Sequence, residues 1–534
     1  MTVRGVQYHE ALKRLENAPR TLRAAELPDD ELLARYHPDY REGTKIRLEV
    51  GPSRGDLCQA ELAALLQSNA RIDEVDIAGV PVTDPDILVI GGGGGGIAAA
   101  LTAAKRGAQV LLATKARLGD SNTVMAEGGI QAAVDPEDSP QRHYDDTFRG
   151  GHLRAVKDLV AQMAMEGPDA IRWLIQLGMQ FDLDGSSLAT KRAGGASVAR
   201  ILSFRDYTGL EMMRVLREAV WLAPGITVWE RSPVVELLSN EHGHCAGAVI
   251  CAIDRHGYQL VRAQSVIMAT GGIGRLHLNG FPTSNHFGAT GDGLALAYRL
   301  GARVRDLDSF QYHPTGVADP SHLAGSLITE AVRSAGAHLV NGLGERFVDE
   351  LKPRDQVSAA IIRECGEGRG VVAASGKLGI WLDTPGLERN SPGILRGRVG
   401  GLMHLAEKCQ IDPATTPFLA YPTLHYQNGG VVIDRDGAST VPGLYCVGEL
   451  AGGIHGRNRL MGNALLDIIV FGRRAGLRAA EHLSAEPHRK ITIEHLQGWQ
   501  RELMLAELPL DRRSPPLFPS YANADRLDAT MDLR

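Results

Sequence analysis

Six consecutive glycines, Gly91 to Gly96, follow the apolar run DILVI and precede IAAALTAAKRG and AQVLLATK. Within them Gly91, Gly93 and Gly96 give the GxGxxG spacing of a dinucleotide site. The first glycine permits a tight turn, and the second lets backbone N–H groups approach a pyrophosphate. The third lets helix and strand pack closely, while the helix N-terminus favours the negative charge. A glycine run alone reads as a linker, but linkers are not flanked by a strand on one side and a helix and strand on the other. An NAD unit would normally offer Asp or Glu near the end of the second strand for the ribose; Thr114 and Lys115 stand there instead. The cysteines, at 58, 245, 251, 365, 409 and 446, make no CxxC pair. No metal site and no iron–sulfur ligand set is therefore expected, and Cys245 and Cys251 read as buried thiols.

The elements that must carry this loop form an α/β pattern. Strand, glycine turn, helix and strand from Asp86 are the first βαβ unit of a doubly wound fold. A second apolar strand, SVIMATGG, leads into GIGR, and LYCVGE later restores the same style before the helix NALLDIIVFGRRAGLRAAEHL. MATGGIGR and GLYCVGEL resemble the extra elements of two-domain FAD proteins, and no second glycine fingerprint is visible. FAD is the expected cofactor, without direct reduction by NAD(P)H. The short alternating runs ITVWE and GHCAGAVICAI suggest an inserted antiparallel sheet. The expected organisation is a helical N-terminal extension over 1–85 and a Rossmann-like FAD-binding domain over 86–305 and 422–485. An inserted α+β capping domain covers 306–421, and a short tail of loop, helix and loop covers 486–534.

A chain of 534 residues exceeds one core and implies two or three domains. Net charge −6 gives no reason to expect nucleic acid. No apolar stretch approaches the roughly 20 residues that span a bilayer, and the first residues lack a secretory core. A cytoplasmic location follows, with membrane contact only through a partner.

Between about Asp86 and Gly476 the chain closely resembles the flavoprotein subunits of succinate dehydrogenase and fumarate reductase, with L-aspartate oxidase a near relative. The ordered motifs NTVMAEGGIQAAV, ATGDGLALA, FQYHPTG, LITEAVR, KPRDQVSAA, LHYQNGG and HGRNRLMGNALLDIIVFGR carry the likeness. The resemblance implies that His313, Thr329, His425 and Arg459 hold the carboxylates of a small dicarboxylate. It implies that Arg354 delivers a proton and that Glu330 and Arg333 relay protons to it. Asp292, Glu449 and the Asn463-Ala464-Leu465 turn would touch FAD, together with Thr114, Lys115, Asn122, Thr123, Gly128 and Gly129.

These residue types suit that chemistry. Hydride addition to an activated C=C places negative charge on carbon and carboxylate, which a cationic clamp stabilises. Arg forks onto a carboxylate through two parallel bonds. As an acid it is weak, but a carbanion is a strong base, so proton transfer keeps its driving force. Each such residue also has an ordinary reading, a surface or structural group in a glycine-rich loop. Glu330 and Arg333 read equally as a buried ion pair, His286 as a loop residue near FAD, and His455 as structural.

Departures from the family pattern matter too. Covalently flavinylated members carry a histidine before TVxAEGG, where this chain has Asn122, so FAD is expected to be held non-covalently. Aspartate oxidases carry an acid in an REGG-like loop; here KRAGG has Ala193. The C-terminal region is shorter than the helical domain of respiratory subunits, and the lead-in has no counterpart there. An iron–sulfur partner subunit is expected to supply electrons. The alternatives are an aspartate-type FAD oxidase and a non-catalytic electron-carrying flavoprotein.

Overall fold

The computed structural model describes residues 4–17, 21–72, 77, 79–253, 257–484 and 490–519. Its centre is a five-stranded parallel sheet, ordered 226–229, 110–113, 87–90, 265–268, 444–446. The runs Ile87–Ile90, Val110–Ala113, Ser265–Met268 and Leu444–Cys446 are buried at every position. That is the signature of parallel strands covered on both faces. The helices Gly94–Lys105 and Asn463–Glu481 lie together against this sheet. Their approach is close enough to exclude side chains: a Cβ on Gly476 would sit 2.2 Å from the Ala99 carbonyl oxygen. Gly96 is tighter still, since its Cβ would meet the Gly91 carbonyl oxygen at 1.9 Å.

One expectation is corrected here. Ile226–Trp229 belongs to the parallel sheet, paired with Val110–Ala113, and not to the antiparallel insertion. Its alternation reflects an edge strand with one half-open face. Cys245–Cys251 does lie in an antiparallel sheet, between Val234–Asn240 and Tyr258–Arg262.

A second body is built on the strands Leu378–Asp383, Phe418–Gln427 and Phe310–Val317, which pair antiparallel. Helix Arg354–Gly366 packs against them. Strand Phe418–Gln427 runs straight through the expected break between 421 and 422. The lead-in contributes helices Tyr8–Glu16, Asp29–Tyr36 and Ala60–Leu66, but short strands as well, and it is shared between the two bodies. Val6–Gln7 adds to the second body at Val371–Val372, whereas Val82–Thr83 adds to the antiparallel insertion at Leu260–Val261. The tail holds the expected helix, His495–Leu505, and then a strand, Arg513–Ser514, paired with Asn69–Ala70 of the lead-in.

Candidate active site

The two bodies meet at a cavity of about 750 Å³. One part of its wall is the loop Gly91–Gly95 at the N-terminus of helix Gly94–Lys105, with Thr114, Lys115, Asn122, Thr123, Gly128 and Gly129. Asp292, Glu449, Ala464 and Leu465 line it too. Two expected cofactor residues are not on the wall. Gly96 packs under Gly91, and the buried Asn463 side chain bonds His143 Nε2 (2.8 Å) and Thr147 Oγ1 (2.9 Å).

The same cavity is lined by His313, Thr329, Glu330, Arg354, His425 and Arg459. Secondary structure explains how segments distant in sequence converge. His313 lies on strand Phe310–Val317 and His425 on its antiparallel neighbour Phe418–Gln427, which places the two rings 5.2 Å apart. Pro353 ends an extended approach and Arg354 opens the helix Arg354–Gly366. Thr329 caps helix Glu330–Ser334, its hydroxyl accepting from Ala331 N (3.4 Å). Arg459 comes from the loop before helix Asn463–Glu481, with its guanidinium carbon 4.4 Å from the Tyr426 ring centre.

The residue that joins these parts is Gln311. Its amide oxygen accepts from Arg354 Nη1 (3.0 Å) and from Arg459 Nη2 (3.1 Å). Its NH₂ group donates to Asn458 Oδ1 (3.0 Å) and to the Arg459 carbonyl (2.6 Å). The chemistry-bearing types singled out in FQYHPTG did not include it. Strand periodicity puts Gln311 on the face of His313, two residues along the same strand, but does not show its two arginine partners.

Behind Arg354 stands Glu330, whose Oε2 accepts from Arg354 Nε (2.8 Å) and Arg333 Nη2 (3.2 Å). Its Oε1 accepts from Gly194 N (3.2 Å), so the KRAGG loop lies against the site, with Ala193 buried. Arg333 is not on the cavity wall; it is buried behind Glu330 and also donates to the Glu350 carbonyl. Burial pushes the Glu330 carboxyl up, but Arg354 and Arg333 outweigh it and bring it down to about 2. Burial, reinforced by Arg354, holds the His313 and His425 imidazoles well below their usual range. Both rings are therefore neutral near pH 7. Burial beside Arg354 likewise brings Arg459 down to about 10. His425 Nδ1 is held by Ser284 Oγ (2.7 Å), whereas His313 Nε2 and Arg459 Nε are buried with no protein partner. The result is a cationic pocket with two neutral imidazoles, suited to a small acidic ligand.

Glu127 also faces the cavity, and burial next to Asp206 pushes its carboxyl up to about 8. It stands in the motif NTVMAEGGIQAAV, whose likeness to the family assigns it no role. His286 lines the cavity as expected of a loop residue, and His455 is buried on Asp467 (2.6 Å). Among the described residues, no group of three or more His, Cys, Asp or Glu is arranged to hold a metal ion. Nor is any described helix long and apolar enough to cross a membrane.

A model of the FAD binding domain family matches residues 86–465. The chain belongs to that family of flavoproteins. L-aspartate oxidase of Streptomyces coelicolor is 38% identical over 421 residues, covering 76% of this chain and 70% of the relative. In Methanothermobacter marburgensis, one subunit of fumarate reductase (CoM/CoB) is 37% identical over 418 residues, covering 76% and 74%. A solved structure of E. coli quinol fumarate reductase FrdA superposes with a TM-score of 0.72 at 30% identity, covering 79% of this chain and 75% of that one. This flavoprotein is thus an FAD-dependent oxidoreductase of the fumarate reductase and succinate dehydrogenase type.

The cavity fits FAD on its own terms. Helix Gly94–Lys105 starts at the glycine-lined wall, and the positive end of its dipole favours a pyrophosphate there. Thr270 Oγ1, on the same wall, is buried without a protein partner. At the end of the second strand, where a dinucleotide fold meets the ribose, Lys115 Nζ donates to Asp292 Oδ2 (2.6 Å).

Proposed function

We propose that this flavoprotein interconverts a small C4-like dicarboxylate and its unsaturated partner, in the manner of fumarate and succinate. The observation that carries the reading is the convergence of Arg354 and Arg459 on the single amide oxygen of Gln311, with Glu330 anchored behind Arg354. Arg459, His313, His425 and Thr329 hold the two carboxylates, and a neutral imidazole donates a hydrogen bond without adding charge. When bound, FAD supplies or receives the hydride. Arg354 transfers the balancing proton at the neighbouring carbon. Glu330, already ionised and bonded to Arg354 Nε, keeps that guanidinium aimed and leads the proton back through Arg333. In the reducing direction a hydride and a proton add across the C=C bond, which becomes CH–CH.

FAD is held non-covalently in this reading. The Asn122 side chain on the cavity wall is an amide, donating to Asn285 Oδ1 (2.6 Å) and Glu449 Oε2 (3.3 Å). Electrons arrive through a partner, for which an iron–sulfur protein is the expected class; relatives named as subunits support this. The aspartate oxidase alternative has a close relative behind it. Against it stands Ala193, which leaves the KRAGG loop beside Glu330 with no carboxylate for an ammonium group.

Purified protein should oxidise reduced viologen with fumarate and show little hydrogen peroxide production with aspartate and O₂. Aspartate turnover faster than fumarate reduction would overturn the assignment. Release of free FAD on acid precipitation tests the non-covalent attachment.

A further inference from the structure

The C-terminal segment returns to the cofactor cavity from outside. Arg513–Ser514 pairs in parallel with Asn69–Ala70, and Arg513 donates to the Ala70 carbonyl (3.0 Å). Arg299 donates to the Ser514 carbonyl (3.3 Å), and Arg71 Nε to the Pro515 carbonyl (2.5 Å). These anchors deliver Leu517 behind Lys115 and Asp292 of the cavity wall, with its side chain fully buried in a cluster with Ala70, Ile72, Val235 and Leu238.

There the backbone of Leu517 completes a cluster of polar groups. Its carbonyl accepts from Lys115 Nζ (2.7 Å) and Thr290 Oγ1 (3.2 Å), and its N–H donates to Asp292 Oδ1 (3.1 Å). Lys115 Nζ spends its other two donors on Thr290 Oγ1 (2.8 Å) and Asp292 Oδ2 (2.6 Å). Leu517 has φ +69°, a left-handed conformation unfavourable for a branched L-residue and retained only where surrounding contacts impose it. The next ring, Phe518, stacks on Phe287 at 5.7 Å, with the Lys115 ammonium 5.6 Å from its centre.

Lys115 and Asp292 both line the cavity, and Lys115 stands where a dinucleotide fold meets the ribose. We propose that residues 513–518 form a clasp on the adenosine half of FAD. Leu517 fixes Lys115 and Asp292 in the positions that receive the nucleotide, and the lead-in strand 69–70 holds the clasp shut. The proposal deepens the FAD assignment and rests on it.

Deflavinated full-length protein, a chain ended after Pro519 and a chain ended after Pro516 would be titrated with FAD and, separately, with FMN, following flavin fluorescence. FMN lacks the adenylate and serves as the control for an intact remainder of the cavity. The chain ended after Pro519 should bind FAD like the full chain. The chain ended after Pro516 should bind FAD at least tenfold more weakly, with FMN binding unchanged. Lys115→Met in the full chain should reproduce that loss, and combining it with the truncation should add less than twofold, since both remove one cluster. FAD binding within twofold of the full chain after truncation at Pro516 would overturn the clasp. So would an equal loss for FMN, which would mark the segment as general scaffolding. Failure of the full-length chain to bind FAD at all would instead strike the cofactor assignment.

Discussion

Gln311 holds two guanidinium groups with one oxygen, so its removal should be felt at both. Gln311→Leu leaves each arginine without its shared acceptor, and hydrogen bonds to charged groups are each worth about 1.5–3 kcal/mol. We expect kcat/KM for fumarate to fall about 10²- to 10⁴-fold, with most of the loss in KM, measured with reduced viologen at matched flavin content. Arg354→Gln keeps a side chain that can bond Glu330 but supplies no acid. It should retain FAD while kcat falls about 10²- to 10⁴-fold, the range of general acid catalysis. The charged members of the site were legible as motifs because Arg, His and Glu advertise chemistry wherever they stand. Gln311 was not, because an uncharged amide looks like ordinary strand filling until its two partners are seen. The role of Gly194 as a donor to Glu330 was equally hidden, being a backbone contact between segments far apart in the chain.

The glycine-started helix and the helices around it set the precision of the cofactor wall. Gly96→Ala would drive a methyl group into the Gly91 carbonyl at 1.9 Å, against backbone that cannot rotate away. We expect about 1–3 kcal/mol of destabilisation and a reduced flavin-to-protein ratio, read by thermal unfolding and absorbance. Helix Pro140–Gly150 carries His143, which burial brings down to about 4 and which bonds Asn463 at the start of the opposing helix. An unfolded imidazole titrates near pH 6.5. Below that value the unfolded chain binds a proton that the folded His143 refuses, so this site loses stability as pH falls from about 6.5 to about 4. The stability of the wild type relative to His143→Asn should therefore drop over that window, by up to about 3 kcal/mol, in denaturant titrations at stepped pH. Strand and helix types were readable where burial was uniform, as in Ile87–Ile90 and Val110–Ala113. Ile226–Trp229 misled because alternation marks a half-exposed strand without saying which sheet it borders.

On the scale of the whole molecule, the cavity draws its wall from both bodies, so its occupant ties them together. Deflavinated protein should unfold at lower temperature, and FAD at a hundredfold its Kd should restore about 2.7 kcal/mol in calorimetry. The return of the chain to its first sheet was visible from the strand-and-glycine style at LYCVGE, since Leu444–Cys446 pairs with Ser265–Met268. The dispersal of the lead-in was not, because its helices have ordinary amphipathic patterns and its strands are two or three residues long. That dispersal has a consequence for biosynthesis. Residue 6 has no sheet neighbour until residue 371 has left the ribosome, and the parallel sheet beneath the glycine loop lacks an edge until residue 446 emerges. The nascent chain must carry open strand edges through most of its translation, with the attendant exposure to aggregation. Ribosome-stalled fragments ending before Leu444 should accordingly be flavin-free and chaperone-dependent, and only those reaching past Phe518 should load FAD as tightly as the full chain.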